Sequence, residues 1–192
     1  MKIKRILAYI VDVFIITLIS SFLFSTIFKS DYERHYDLGQ GYLKEILDRD
    51  ENSISQDRIV EMNYNLSQLQ IKSNIIRFGL TIVYFCFISF AWNGKTIGKK
   101  ILKIQVVPIK GKKLNPPLFF LREILITNSF FNLLDIINTS VCGLTKWATF
   151  TEIISIGKFI AYGLILGFII FRDDERGLHD VICKTNVVSE KK

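Results

Sequence analysis

The chain has 192 residues, 49% of them hydrophobic, with 16 phenylalanines and a mean hydropathy of +0.31. A soluble domain of this size is less apolar, so the composition points to a membrane protein with a few spans and little room for a separate soluble domain. The net charge of +7 could suit nucleic acid, but its placement along the chain argues against that, and three scattered cysteines with two histidines argue against a disulfide or metal framework.

A spanning helix needs ~20 mostly apolar residues, and four stretches qualify. The first, about 6–28, carries Asp12 inside the run KRILAYIVDVFIITLISSFLF. Its basic start resembles a signal peptide, yet the run outlasts the ~7–15 residues of a signal core, contains an acid and is followed by no A-x-A site, so it is read as a retained span. Segment 29–73 follows. Ile59, Met62, Leu66 and Leu69 have helical spacing there, and the helix is expected to run into the second span, about 75–92. The segment is either a solvated cap on the bundle or a surface for a partner membrane protein.

Beyond the second span, Thr96 is placed to cap a short amphipathic helix at the membrane surface. Ile97, Ile101, Leu102 and Ile104 are expected to face the bilayer, while Lys99, Lys100 and Lys103 face anionic lipid headgroups. KIQVVPIKGKKL reads as two short strands turning near Gly111, and KTNVVSEKK supplies another. The third span, about 118–137, contains Arg122, Glu123, Asn128, Asn132 and Asp135; it crosses, or else lies along the interface or re-enters. The fourth is about 153–171. The expected fold class is therefore an all-α membrane protein, one domain over 1–192 with four transmembrane helices, a helical extracytoplasmic segment and small cytoplasmic β-strands.

Charge sets the orientation. The N-terminal tip holds Lys2, Lys4 and Arg5 without an acid, and the loop 93–117 holds seven lysines without an acid. In 29–73 acids outnumber bases, and the loop near 139–152 has one of each, Lys146 and Glu152. The positive-inside rule then puts both termini and the 93–117 loop in the cytoplasm. Topology thus accounts for the positive charge, and no nucleic-acid partner is needed.

Charges inside spans cost ~2.5–3.5 kcal/mol each at a helix centre, so each needs a partner. Arg5, Ala8 and Asp12 share one helix face, with Arg5 and Asp12 ~10 Å apart along the axis. Similar depth on the third span pairs Asp12 with Arg122, while Arg77 snorkels to the outer surface. On the outer side Asp135 matches Lys158. Glu123 faces the loop lysines or Arg176. Asp180 caps a turn or pairs with Arg5 or a loop lysine, with His179 packed at the interface. Asp12 with Glu123 is either a protonatable ion path or a fixed ion pair that holds the helices in register. The His179–Asp180 dipeptide lacks the further ligands of a metal hydrolase. No Ser/His/Asp set is visible, and Gly94 and Gly98 lack the context of a nucleotide loop, so neither enzyme activity nor a cofactor is expected.

Four blocks in order, Arg5–Asp12, Gly94–Val107, Leu121–Leu125 and Arg176–Val188, resemble the RDD family of small bacterial membrane proteins. By that match the family's arginine is Arg5 and its aspartates are Asp12 and Asp180. The long 29–73 segment departs from the compact members. The resemblance implies a multispan inner-membrane protein; transport has been suggested for the family, and sodium–proton exchange for some relatives. The expectation is ion or small-solute transport, coupled to protons or sodium, through the cluster Arg5, Asp12, Arg122, Glu123, His179 and Asp180. Four spans are few for a carrier, which suggests a homo-oligomer. The alternative is a non-enzymatic scaffold that holds partner proteins.

Overall fold

The computed structural model describes residues 2–48, 54–109 and 115–189. Helix α1 (Lys2–Ile27) buries a single stripe, Arg5, Ala8, Asp12, Ile16, Ser20 and Phe24, recurring every three or four residues. Many of its large apolar side chains, among them Ile10, Phe14, Leu18 and Phe22, point outward. Such inverted patterning suits a helix in lipid, where tails solvate Leu and Phe and small or polar groups make the helix contacts.

Helix α2 (Lys29–Leu47) follows α1 after a break at Phe28 and lies antiparallel along α3 (Gln56–Ile82). Lys72 donates to Asp31 (2.5 Å), His35 meets Gln70 (2.7 Å), Asn65 donates to Tyr42 (3.0 Å) and Arg58 to Glu45 (2.9 Å). Ser55 caps α3 by accepting from the Arg58 N–H at 3.3 Å. The helix continues through a π-helical turn, Val83–Ile88, into α4 (Ser89–Ala91). The whole rod has 36 residues, about 54 Å at 1.5 Å per residue, against a ~30 Å hydrocarbon layer. Its N-terminal portion, with α2, therefore projects beyond any bilayer it crosses. The wider π turn brings three successive residues, Tyr84, Phe85 and Cys86, inward; an α-helix would fan them 100° apart.

Asn93 and Gly94 reverse the chain with positive φ (55° and 81°). A side chain at Gly94 would meet the Val106 carbonyl at 2.7 Å. Helix α5 (Ile97–Ile101) follows, capped by Thr96, and then strand β1 (Ile104–Pro108). Helices α6 (Pro116–Ile126) and α7 (Ser129–Val141) precede the long α8 (Leu144–Phe171), the short α9 (Leu178–Ile182) and β2 (Thr185–Ser189). β1 and β2 pair antiparallel, Ile104 opposite Ser189 and Pro108 opposite Thr185. A two-stranded ribbon alone is marginal. Here Ile104, Val106 and Val187 pack on Ala8 of α1 and Phe119 of α6, and that core anchors it.

Three helices, Lys2–Ile27, Gln56–Ala91 and Leu144–Phe171, are long and apolar enough to cross a membrane. The third stretch is not the continuous span expected: α6 and α7 meet at 63°, and they supply a fourth crossing only as a bent pair. The break lies at Thr127–Asn128–Ser129. Thr127 Oγ1 donates to the Glu123 carbonyl (2.8 Å) and contacts Ser129 Oγ (2.6 Å), and Asn128 takes a left-handed φ of 50°. Thr127 bonds back onto the last turn, and the left-handed backbone at Asn128 ends a helix that hydropathy alone would continue. The loop expected over 139–152 shrinks to Cys142–Gly143, because α8 begins at Leu144. There Tyr64 OH donates to the Cys142 carbonyl (3.2 Å), and Gln68 donates to the Thr139 carbonyl (2.6 Å). The expected turn at Gly111 lies outside the described residues; the partner of the first strand is the C-terminal one.

Candidate functional site

Asp12 is fully buried and has no ion pair among the described residues. Its Oδ1 accepts from Tyr84 OH (2.6 Å) and the Gly98 N–H (2.7 Å), and its Oδ2 from Thr96 Oγ1 (2.5 Å). The donors are themselves engaged: Tyr84 OH accepts from the Ile97 N–H at 2.9 Å, and Thr96 Oγ1 from the Lys99 N–H at 3.3 Å. Hydrogen bonds to a charged acceptor contribute about 1.5–3 kcal/mol each, enough for three to offset the cost of placing the carboxylate there. Asp12 thus fastens α1 to the π turn of the second rod and to α5. The approach is so close that a Cβ on Gly98 would lie 2.2 Å from the Ala8 carbonyl oxygen.

The expected Asp12–Arg122 pair is absent. Depth counting treated α5 as a surface element, but its first turn tucks between α1 and the bundle and occupies the carboxylate. Arg122 turns instead to Asp180 (Nε–Oδ1 2.8 Å) and to its neighbour Glu123. Asp180 also accepts from Arg5, from Thr185 Oγ1 (3.1 Å) and from the Gly177 N–H (3.3 Å). Burial alone would raise the Asp180 pKa; Arg122 and Arg5 hold it below the usual carboxylate range. Arg5 donates as well to the Glu175 carbonyl. Asp180 therefore ties together α1, α6, α9 and β2.

His179 is buried beside this node, its Nε2 3.4 Å from Asp180 Oδ2 without an aligned hydrogen bond. Burial, then Arg122, pushes its pKa down to about 3, so the contact is with a neutral ring. Glu123 is fully buried, with Oε1 held by Arg122 and Oε2 without a hydrogen-bond partner among the described residues. Lys99 is buried too, with 7% exposure. Its Nζ is 3.5 Å from Glu123 Oε1 and makes no hydrogen bond. Burial lowers the Lys99 pKa, with Glu123 opposing. Lys99 is thus not a headgroup ligand, and Glu123 meets Lys99 rather than Arg176, which pairs with Asp174. Lys100 and Lys103 are exposed, Lys100 with its ammonium 3.4 Å from the centre of the Trp92 ring. Ile104, expected against lipid, is buried in the sheet core.

Three cavities share walls along the bundle. The inner one, about 250 Å3, has Lys99, Arg122 and Glu123 on its wall and is closed by Tyr9, Phe85 and Tyr162. The same three side chains bound a middle cavity of about 110 Å3, which also has Thr127 and Asn132. Arg77, Thr81 and Asn132 carry on into an outer cavity of about 260 Å3 beside Asp135 and Lys158. Lys158 donates to Asp135 there, and Arg77 is exposed beside that pair. Both helix irregularities, the π turn and the break after α6, line this row.

Sequence reasoning missed Tyr84, Thr96 and Gly98 as partners of Asp12. The G-K-T-I-G spacing was visible, but nothing in it said that Thr96 and Gly98 aim at an acid more than eighty residues earlier. Among the described residues no three His, Cys, Asp or Glu side chains gather as metal ligands. No curated relative and no solved structure matches the chain. The RDD family model matches residues 3–184, from before Arg5 to beyond Asp180, and with its apolar helices the chain is a membrane protein belonging to the RDD family.

Proposed function

We propose that the protein moves a small ion or solute across the bacterial inner membrane, both termini cytoplasmic, by way of the row of cavities between Glu123 and Asp135. The observation that carries this is the row itself. Two charged chambers share walls with a smaller one that carries hydroxyls, the Asn132 amide and Arg77 among apolar side chains, in a bundle where irregular backbone is tolerated chiefly beside a cavity. Glu123 serves as the exchangeable acid, since one of its oxygens is uncommitted. Asp12 serves as a lock, since both of its oxygens are occupied by neutral donors. The test is dissipation of a pH or sodium gradient in sealed proteoliposomes. Wild type and folded Asp12→Asn are expected to discharge the gradient, and Glu123→Gln to slow the discharge at least tenfold. Equal flux in all three, or in none, would refute the assignment.

A second reading, a scaffold for partner proteins, is favoured by one observation. Tyr32, Tyr36, Leu43 and Leu47 are exposed along one stripe of α2 beside its contact with α3. It predicts a partner that co-purifies with the whole chain and is lost on removing 29–48, with no flux in either form.

A further inference from the structure

Two cations on the walls of these cavities have no hydrogen-bonded acid among the described residues, and the one carboxylate near Lys99, that of Glu123, stands 3.5 Å from its ammonium. Lys99 is nine-tenths buried, lines the inner cavity, and its ammonium makes no hydrogen bond among the described residues. Arg77 lines the middle and outer cavities, its guanidinium without a hydrogen bond or ion pair among the described residues. The acids nearby are spent differently. Asp180 is saturated by Arg5 and Arg122, Asp135 is held by Lys158, Asp12 is closed off by its three neutral donors, and Glu123 gives its engaged oxygen chiefly to Arg122. A buried ammonium without an acceptor is costly unless something supplies one.

Most of the remaining inner wall is hydrocarbon, with Phe85, Ile126, Ile165 and Ile169 facing the same space, while Arg5, Asp12 and His179 on that wall are held by partners of their own or stay neutral. That surface cannot replace the water shell of phosphate or another dianion. At about 250 Å3 the chamber lies below the ~300–1,000 Å3 of sites for drug-sized ligands, and the middle chamber is smaller still, so a phospholipid is too large. We infer that the inner cavity binds a short-chain monocarboxylate, its carboxylate on Lys99 and its hydrocarbon body against the Phe85–Ile165 wall. Arg77 then receives the same anion at the outer chamber. The inference rests on the translocation reading and names its substrate class.

The test uses the full chain in detergent with sodium butyrate as probe, and sodium chloride, sodium phosphate and butanol as controls. Calorimetric titration is expected to show butyrate binding at least tenfold more tightly than chloride, phosphate or butanol. Butyrate alone should raise the unfolding temperature of the wild type. Lys99→Gln, which breaks no hydrogen bond of the Lys99 ammonium, should unfold near the wild-type temperature and lose at least tenfold in butyrate affinity; Lys99→Arg should keep part of it. Butanol binding as well as butyrate would reduce the site to an apolar void and overturn the inference. So would chloride or phosphate binding equally well, butyrate affinity unchanged in Lys99→Gln, or no binding of butyrate. Gradient discharge without butyrate binding would sink this inference and leave translocation standing. Butyrate binding lost in Lys99→Gln, in a protein that discharges no gradient, would leave the site standing and sink translocation.

Discussion

Replacing Asp12 separates a carboxylate that fastens helices from one that works. In Asp12→Asn the amide oxygen can keep the bonds from Tyr84 OH and the Gly98 N–H, but the amide nitrogen now faces Thr96 Oγ1, which must turn from donor to acceptor. Three hydrogen bonds also lose their ionic component, roughly 1 kcal/mol each, partly offset because no charge has to be buried. The net cost is about 1–3 kcal/mol, or roughly 2–12 °C in unfolding temperature for a chain of this length. Asp12→Ala orphans three buried donors at about 1–3 kcal/mol apiece and should cost about 3–9 kcal/mol. Thermal unfolding of the purified protein in detergent measures both. A double-mutant cycle of Asp12→Asn with Tyr84→Phe should show coupling of about 1 kcal/mol or more, since the partners touch. Equal stability of wild type and Asp12→Asn, or strict additivity in the cycle, would refute the lock.

Gly98→Ala drives a methyl against the Ala8 carbonyl and pushes the Gly98 N–H off Asp12; the loss should be about 3–5 kcal/mol, read by the same unfolding assay. Arg122→Gln strands both Asp180 and Glu123 and should cost about 3–5 kcal/mol, seen as loss of the monodisperse peak in size-exclusion chromatography. His179 stays neutral in the fold with its pKa near 3, whereas the unfolded chain takes up the proton at about 6.5. Its contribution is therefore fully present above pH 6.5 and lost as the pH falls towards 3, about 2 kcal/mol by pH 5. Unfolding temperatures at pH 7 and pH 5 should show that drop in wild type, and His179→Gln should flatten it.

The rods and their order were legible because hydropathy runs and helical spacing act locally. The Thr96 cap, the strand at 185–189 and the Asp135–Lys158 pair follow from the same kind of short-range pattern plus depth. What failed was inference across elements. Arg122 and Asp12 have compatible depths, yet depth does not reveal that a five-residue helix passes between them. Lys99 looks like its neighbour Lys100 in sequence, and only the tuck of Gly98 against Ala8 rotates one lysine inward and the other outward. The break at Asn128 was written in Thr–Asn–Ser, but their polarity read as buried chemistry rather than as a helix end.

The bond from Arg5 to Asp180 spans nearly the whole length of the chain, and β2 closes the fold from its last described residues. At ~5–20 residues per second, synthesis leaves roughly 9–35 s between the emergence of the arginine and that of its aspartate. For that time Arg5 waits without Asp180, while Tyr84, Thr96 and Gly98 reach Asp12 about halfway through. Insertion and maturation are thus separate events: α1 enters the membrane before its polar stripe can be satisfied. A chain stopped short of Asp180 keeps that stripe incomplete, with the Arg5 guanidinium lacking its carboxylate.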